Sequence, residues 1–275
     1  MIDAAADRFA CSDEVLTPML KWCSYCQQFQ GETSPYEDCS VTYGLCRRCE
    51  SDHPDIFASE VVRHSEFLRS VYHSLYEAGR RNDLPSAQQL VKESIAANFR
   101  PVDILLGILT PLLYKIGEQW RSGTVTVADE HEFTAFSGRV IEMIEASMQP
   151  GRTRRRAGVP RYFLMNAPGN THTLAVRILA LWLESRGICT PTVVNHLDPR
   201  ELPQHILKAA PKALLISMAL PQQLNSVAAI SARVGELPAG VRPKVIVGGY
   251  AIKSGLVRFV PGADVVTDIN SLGTS

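Results

Sequence analysis

Residues 161–175 read "RYFLMNAPGNTHTLA": an apolar run of strand length, a Pro-Gly-Asn turn, and the start of a segment with helical spacing. The unit repeats. "CTPTVVN" (189–195), "KALLISM" (212–218), "KVIVGG" (244–249) and "ADVVT" (263–267) are further short apolar runs, and helices are expected between them near 173–186, 199–209, 222–236 and 251–258. Alternation of this kind specifies a parallel, doubly wound, five-stranded sheet with helices on both faces. In such sheets ligands bind beyond the carboxyl ends of the strands, where the strand order switches. Attention therefore falls on the strand-to-helix loops: Asn170 and His172 after the first strand, Ser217 and Leu220 after the third, and Gly248 with Gly249 at the end of the fourth. Paired glycines there let a bulky planar or nucleotide-like group approach the backbone.

Upstream, residues 58–150 carry a helical period. Val61, Leu68, Val71, Tyr72 and Leu75 mark one face; Leu84, Leu90, Val91 and Ile95 a second; Val102, Leu105, Leu106, Leu109, Leu112, Leu113 and Ile116 a third; and Phe133, Phe136, Val140, Ile141 and Ile144 a fourth. With breaks at "NDLP", "FRP" and "RSGTV", these four amphipathic helices predict a four-helix bundle. Residues 151–160 follow as a Gly- and Arg-rich linker; without interleaved aromatics the basic run reads as a solvated connection. The sheet domain then occupies 161–275. Between the third and fourth helices lies "WRSGTVTVADEH" (120–131). Thr126 and Asp129 have the spacing of a capping box, which puts Glu130 and His131 in the first turns of the fourth helix, across a short turn from Trp120. Taken alone, this is a capped hairpin of helices.

The 275 residues suit two domains with a small appendage, and 28 basic residues balance 28 acidic ones. No overall field recruits nucleic acid or an anionic membrane surface. No apolar run approaches the roughly 20 residues of a membrane-spanning helix. Asp3, Asp7, Arg8, Asp13 and Glu14 stand where a basic and then greasy leader would lie. The expectation is a cytoplasmic protein.

"PGNTHTLA", "SMAL", "VGGY" and "PGADVVTD" resemble the successive motifs of the cobalamin-binding domain, the flavodoxin-like module of corrinoid methyltransferases, mutases and cobalamin photoreceptors. The resemblance extends over about 60–275. It implies that His172 is the lower ligand of cobalt and that Ser217 meets the displaced nucleotide tail. The family motif Asp-x-His-x-x-Gly falls here on Asn170, His172 and Ala175. Asn170 carries no charge to raise the basicity of the imidazole, and Ala175 adds a methyl where the tail threads. Trp-x9-Glu-His further resembles the signature of CarH-like photoreceptors. That likeness implies that Trp120 packs beside the 5′-deoxyadenosyl group of adenosylcobalamin, that Glu130 bonds its ribose, and that His131 stands ready to bind cobalt once light has expelled the group.

Residues 1–57 are Cys-rich, and turn composition such as "GETSPYEDCS" predicts an irregular segment. Cys23 and Cys26 in "CSYC" and Cys46 and Cys49 in "CRRC", 19 residues apart, have the spacing of a tetrahedral zinc site. The stretch also resembles a Cys-rich motif that accompanies bacterial sensor and response-regulator proteins. Three readings stay open: zinc on four thiolates, free thiols packed as small hydrophobes, and a pocket for a second chromophore. The third follows from the photocobilin subgroup, which pairs cobalamin with a bilin such as biliverdin; Tyr25, Phe29, Tyr36, Tyr43 and several His would line the pocket. Cys11 and Cys39 are then spare, and Cys189 is expected in a buried strand.

These observations lead to a light sensor that is not an enzyme. Within these residues there is no helix-turn-helix, cyclase or kinase segment, so the expected output is a light-dependent change of homo-oligomer, a dimer first, or a downstream signalling partner. The competing expectation is a corrinoid methyl carrier of a methyltransferase system. A zinc-bearing nucleic-acid binder fits poorly with zero net charge.

Overall fold

The computed structural model of the chain describes residues 19–23, 26, 28–32, 40–44, 46–52, 58–148, 162–187, 192–195, 198–269 and 272. The linker 151–160, Cys11, Cys39 and Cys189 lie outside the described residues. In chain order the structure runs from β1 (Met19–Cys23), β2 (Phe29–Glu32), β3 (Ser40–Gly44) and α1 (Arg47–Asp52) into the helices α2 (Ala58–Arg80), α3 (Leu84–Ala96), α4 (Pro101–Ile104), α5 (Thr110–Arg121) and α6 (Val127–Ser147). The α/β part follows as β4 (Tyr162–Asn166), α7 (Leu174–Ser185), β5 (Thr192–Val193), α8 (Leu202–Ala209), β6 (Ala213–Ser217), α9 (Leu224–Gly235), β7 (Lys244–Gly248), α10 (Tyr250–Lys253) and β8 (Asp264–Val265).

The sheet is five-stranded, ordered β5-β4-β6-β7-β8, and every pair is parallel. Alternation along the strands divides its two faces. Tyr162, Leu164, Ala213 and Leu215 join the core shared with the bundle, while Phe163, Met165, Leu214 and Ile216 join a second core under α8 and α9. Strand order reverses between β4 and β6, so the loops that follow these two strands diverge and leave a crevice. Helix α10 is shorter than the predicted 251–258: its chain turns at Gly255, φ +71°, and Val257 N–H donates back to the Ala251 carbonyl at 2.8 Å.

The four-helix bundle starts and stops where its polar residues dictate. Asp83 caps α3 by accepting from the Ser86 N–H at 3.1 Å. Pro101 opens α4, where its missing N–H costs nothing. At Thr126 a reciprocal capping box with Asp129 starts α6. The third helix differs from its expected uniform period. Leu105–Leu109, between α4 and α5, is π-helical, with the Thr110 hydroxyl donating to the Leu105 carbonyl at 2.8 Å. Within this stretch the helix packs closely on two rings: a Cβ on Gly107 would strike the Trp22 ring and come within 2.7 Å of Phe29 Cδ2.

Those two rings belong to the Cys-rich segment, which is not irregular as predicted. It forms a small sheet ordered β2-β1-β3, with β1 antiparallel to β2 and parallel to β3. Leu20 and Trp22 are buried and Lys21 between them is exposed, a period of two that the density of turn residues obscures. Leu20, Trp22 and Phe29 are part of the bundle's own hydrophobic core. The segment is thus fastened to the bundle through its largest side chains.

Candidate functional site

The loop after β4 is held by hydrogen bonds that converge on the end of β6. Ala167 N–H donates to the Ser217 carbonyl at 2.9 Å, and Asn170 Nδ2 donates to the same carbonyl at 3.3 Å. Asn170 Oδ1 accepts from the His172 backbone N–H at 3.0 Å. At the foot of the loop Asn166 Nδ2 donates to the His172 carbonyl at 3.2 Å. His172 itself is exposed. The backbone is therefore pinned on both sides of an imidazole that faces outward. Here Asn has a physical reason over Asp: a carboxylate could not donate to Ser217. Its oxygen, however, serves the His172 backbone and not the imidazole.

Beneath this loop the crevice deepens into a cavity of about 140 Å³. Ile216, Ser217, Gly248 and Gly249 line it from the strand ends, Ala175, Ile178 and Leu179 from α7, and Leu106, Thr110 and Tyr114 from the π-helical stretch and α5. Phe29 and Gly31 close another side, and Val266–Ile269 with Leu272 a further one. The glycine pair has its reason in the protein's own backbone. Gly249 has φ +103°, and a Cβ there would meet the Met218 carbonyl oxygen at 2.6 Å; one on Gly248 would approach the Val266 oxygen to 3.2 Å. Leu220 does not line the cavity and is exposed.

Two contacts seat the bundle on the sheet domain. At the end of α5, Glu118 accepts from the Tyr250 hydroxyl at the start of α10 and is paired with Arg121, whose Nη2 lies 3.2 Å from the same hydroxyl. Burial, reinforced by the Glu118 carboxylate, pushes the Tyr250 phenol up to about 12. Along α6, Gly138 lies against Leu174 in the first turn of α7, and Arg177 bonds Glu145 at 2.8 Å. Trp120 neighbours the first contact and is 47% exposed. His131 precedes Gly138 by seven residues, two helical turns or about 10 Å along α6, and its side chain is 73% exposed. Glu130 is buried; its Oε1 accepts from Thr134 at 2.9 Å, and Oε2 lies 3.6 Å from His131 Nε2.

Most of the residues singled out from sequence fall into two groups, with Glu130, Asn170 and Leu220 placed as just described. Ser217, Gly248, Gly249 and Ala175 line the cavity; Trp120, His131 and His172 are exposed on elements that are docked together. Sequence reading missed the Glu118–Arg121–Tyr250 cluster, although Tyr250 stands inside the "VGGY" motif, and it missed Gly31 as a wall of the cavity.

A separate cluster gathers Cys23, Cys26, Cys46 and Cys49, whose sulfur atoms all lie within 4.8 Å of one another. None of the four is in a disulfide, and Cys23 and Cys49 are buried. Burial pushes Cys49 up to about 11 and raises Cys26 as well. Such thiols give up their protons to a bound cation, which inverts the local electrostatics. Phe29 is buried against Trp22 with ring centroids 5.6 Å apart; Tyr25, Tyr36 and the Tyr43 side chain fall outside the described residues.

Residues 71–145 match the family model of the B12 binding domain. The chain is 28% identical over 200 residues to the HTH-type transcriptional repressor CarH of Myxococcus xanthus, across 72% of this chain and 62% of that protein. It thus spans less than two thirds of that relative's length. Among solved structures, the monomethylamine corrinoid protein of Methanosarcina barkeri superposes with a TM-score of 0.62 at 13% identity, over 74% of this chain and 95% of that one. The likeness is one of fold. The methanol:cobalamin methyltransferase complex MtaBC of the same organism superposes more loosely, with a TM-score of 0.37 at 14% identity, over 82% and 86% of the two chains.

Proposed function

We propose that this chain is a cytoplasmic cobalamin-binding light sensor that holds adenosylcobalamin between bundle and sheet. One observation carries the reading: an apolar cavity at the switch of strand order is lined by Ser217, and the loop bonded to Ser217 bears an exposed imidazole. The residues fit the cofactor. A cavity of about 140 Å³ is close to the roughly 150 Å³ that accepts one benzene ring, the scale of a single ring of the tail's base. Asn166 Oδ1, buried at the foot of the His172 loop and without a partner among the described residues, leaves an acceptor beside it. The B12 binding domain match and the CarH relative support the same cofactor.

In this reading the His172 imidazole would hold the cobalt, and Ala175, Ser217, Gly248 and Gly249 would receive the nucleotide tail. The adenosylated cofactor supplies a cobalt–carbon bond that light can break. Trp120 shields the upper side and Glu130 bonds the ribose. His131, exposed and beside the buried Glu130 carboxylate, would be the residue to hold the metal after illumination. A movement of His131 shifts α6 against α7 and so biases a two-state interface, which is read as a change of homo-oligomer or by a signalling partner.

The test is reconstitution with adenosylcobalamin in darkness, followed by green light. The expected outcome is a changed cobalamin spectrum together with a changed size on chromatography. Bound cofactor whose spectrum changes no differently from that of the free cofactor, with no change of size, would sink the reading. Recording the spectrum into the far red also tests for a bilin such as biliverdin as second chromophore, which would add a band beyond the cobalamin region. A corrinoid methyl carrier is the competing function, favoured by the exposure of Trp120 and His131, which leaves the upper side open to a substrate. It predicts methyl transfer to and from the bound cofactor in darkness.

A further inference from the structure

The Cys-rich segment presents two observations that meet in one place. The first is the geometry of its sulfurs. Four thiolates at about 2.3 Å from a zinc ion stand about 3.8 Å apart along each tetrahedral edge. Cys26 Sγ and Cys46 Sγ are 3.9 Å apart, and the whole set of four lies within 4.8 Å. A disulfide would need about 2.05 Å. Cys46 N–H also donates to Cys23 Sγ at 3.3 Å, a bond that orients sulfur lone pairs and suits a thiolate. Four soft ligands in a closed shell select a tetrahedral divalent ion, with no position left for a substrate.

The second observation is what this cluster holds in place. Cys23 ends β1 directly after Trp22, and its N–H donates to the Gln28 carbonyl at 2.9 Å, closing the turn that delivers Phe29. Trp22 pairs with Phe29 across β1 and β2. Phe29 and Gly31 then line the cavity beside Leu106 and Thr110. Among the described residues these strands bury three large side chains, Leu20, Trp22 and Phe29, and a segment this short gains little from a core of its own. Trp22 and Phe29 seat them in the bundle core, and fixing the two Cys pairs relative to each other would hold those two rings in place.

We propose that Cys23, Cys26, Cys46 and Cys49 hold one zinc ion, and that this ion clamps β2 as a wall of the cofactor cavity, so that affinity for cobalamin depends on zinc occupancy. The coupling rests on the cobalamin reading given above; the metal site does not.

The experiment uses the full chain purified without added metal. Mass spectrometry should count one zinc per chain, four thiols should resist modification until a chelator is added, and Cys46→Ser should lose the metal. Iron in place of zinc, or four thiols that titrate freely in the native chain, overturns the metal site. Hydroxocobalamin is then titrated into zinc-loaded and zinc-stripped protein. Stripping should weaken binding by about 5- to 150-fold, the range of coupling between distinct sites, and re-added zinc should restore it; equal affinities overturn the coupling. Phe29→Ala keeps all four thiols and isolates the wall if stripping also melts helices. It should retain one zinc per chain yet bind hydroxocobalamin more weakly, and unchanged affinity overturns the wall. A zinc-loaded chain that takes up no cobalamin overturns the cobalamin reading and the coupling with it, while the zinc count still decides the metal site.

Discussion

The Tyr250 hydroxyl donates to a carboxylate oxygen of Glu118, joining the first residue of α10 to the last turns of α5 across 132 positions of chain. Because the bond is half-buried and its acceptor is charged, Tyr250→Phe should cost about 1 kcal/mol, read by urea unfolding. The pH dependence has a definite sign. The phenol is raised to about 12 in the fold from about 10 in the unfolded chain. Its contribution is therefore complete below about pH 10 and lost as pH rises towards 12. Tyr250→Phe should lack that part of the alkaline loss of stability; an identical alkaline profile in both proteins would refute the assignment.

Gly107 and Gly117 lie on the same run of helix and should respond oppositely to a methyl group. On Gly107 it collides with Trp22 and Phe29, whereas Gly117 has nothing within 4 Å. Gly107→Ala should destabilise by about 1–3 kcal/mol through overpacking. Gly117→Ala should stabilise by up to about 1 kcal/mol through helix propensity. Thermal melts of the two variants beside the parent check both signs.

Thr126 starts α6 by accepting from the Asp129 N–H at 3.1 Å, while Asp129 accepts from the Thr126 N–H at 2.9 Å. Thr126→Ala should lower stability by about 1 kcal/mol. These bonds to Thr126 also hold the Asp129 carboxyl below its ordinary range. Its contribution is present above the unfolded value near 3.9 and disappears as pH falls through the lower folded value. Acid titration of Asp129 followed by NMR should give a depressed midpoint in the parent and a less depressed one in Thr126→Ala, which keeps the backbone N–H at position 126 and loses only the hydroxyl.

His172 and His131 are both exposed but are held differently, the first by a loop pinned to Ser217, the second on the opening turns of α6. On the light-sensor reading, His172→Ala should change the absorption of the dark complex. His131→Ala should leave the dark spectrum alone and change the illuminated one. Matching spectra for both variants and the parent would remove the ligand assignments.

The α/β half is legible in sequence because each strand is a separate apolar run bounded by turn residues, and "RYFLMNAPGN" shows that boundary at Pro168. Helix ends are legible for the same local reason at Asp83, Pro101 and Thr126. Other features depend on distant partners. The spacing of Leu105, Leu106, Leu109 and Leu112 suits an α-helix as well as a π turn, so apolar period alone does not distinguish them. Helix α10 ends early because Gly255 turns the chain, which apolar spacing through Val257 conceals. In the candidate site, motif order marks Ser217, Gly248 and Gly249 as neighbours. The role of Asn170 as donor to the Ser217 carbonyl needs coordinates, as does the approach of Phe29 to a cavity formed mostly by residues far along the chain.

The π-helical stretch at Leu105–Leu109 has a geometric consequence beyond its own packing. Relative to an uninterrupted α-helix it spends one additional residue on the same turn, and one residue corresponds to about 100° of rotation about the helix axis. Everything in α5 is therefore re-aimed by that angle with respect to α4. A gasket of two aromatic rings from the Cys-rich segment bears on the helix where this rotation is introduced. The azimuth at which Glu118 and Arg121 meet Tyr250, and at which Trp120 faces outward, is set there, well upstream of the residues it orients.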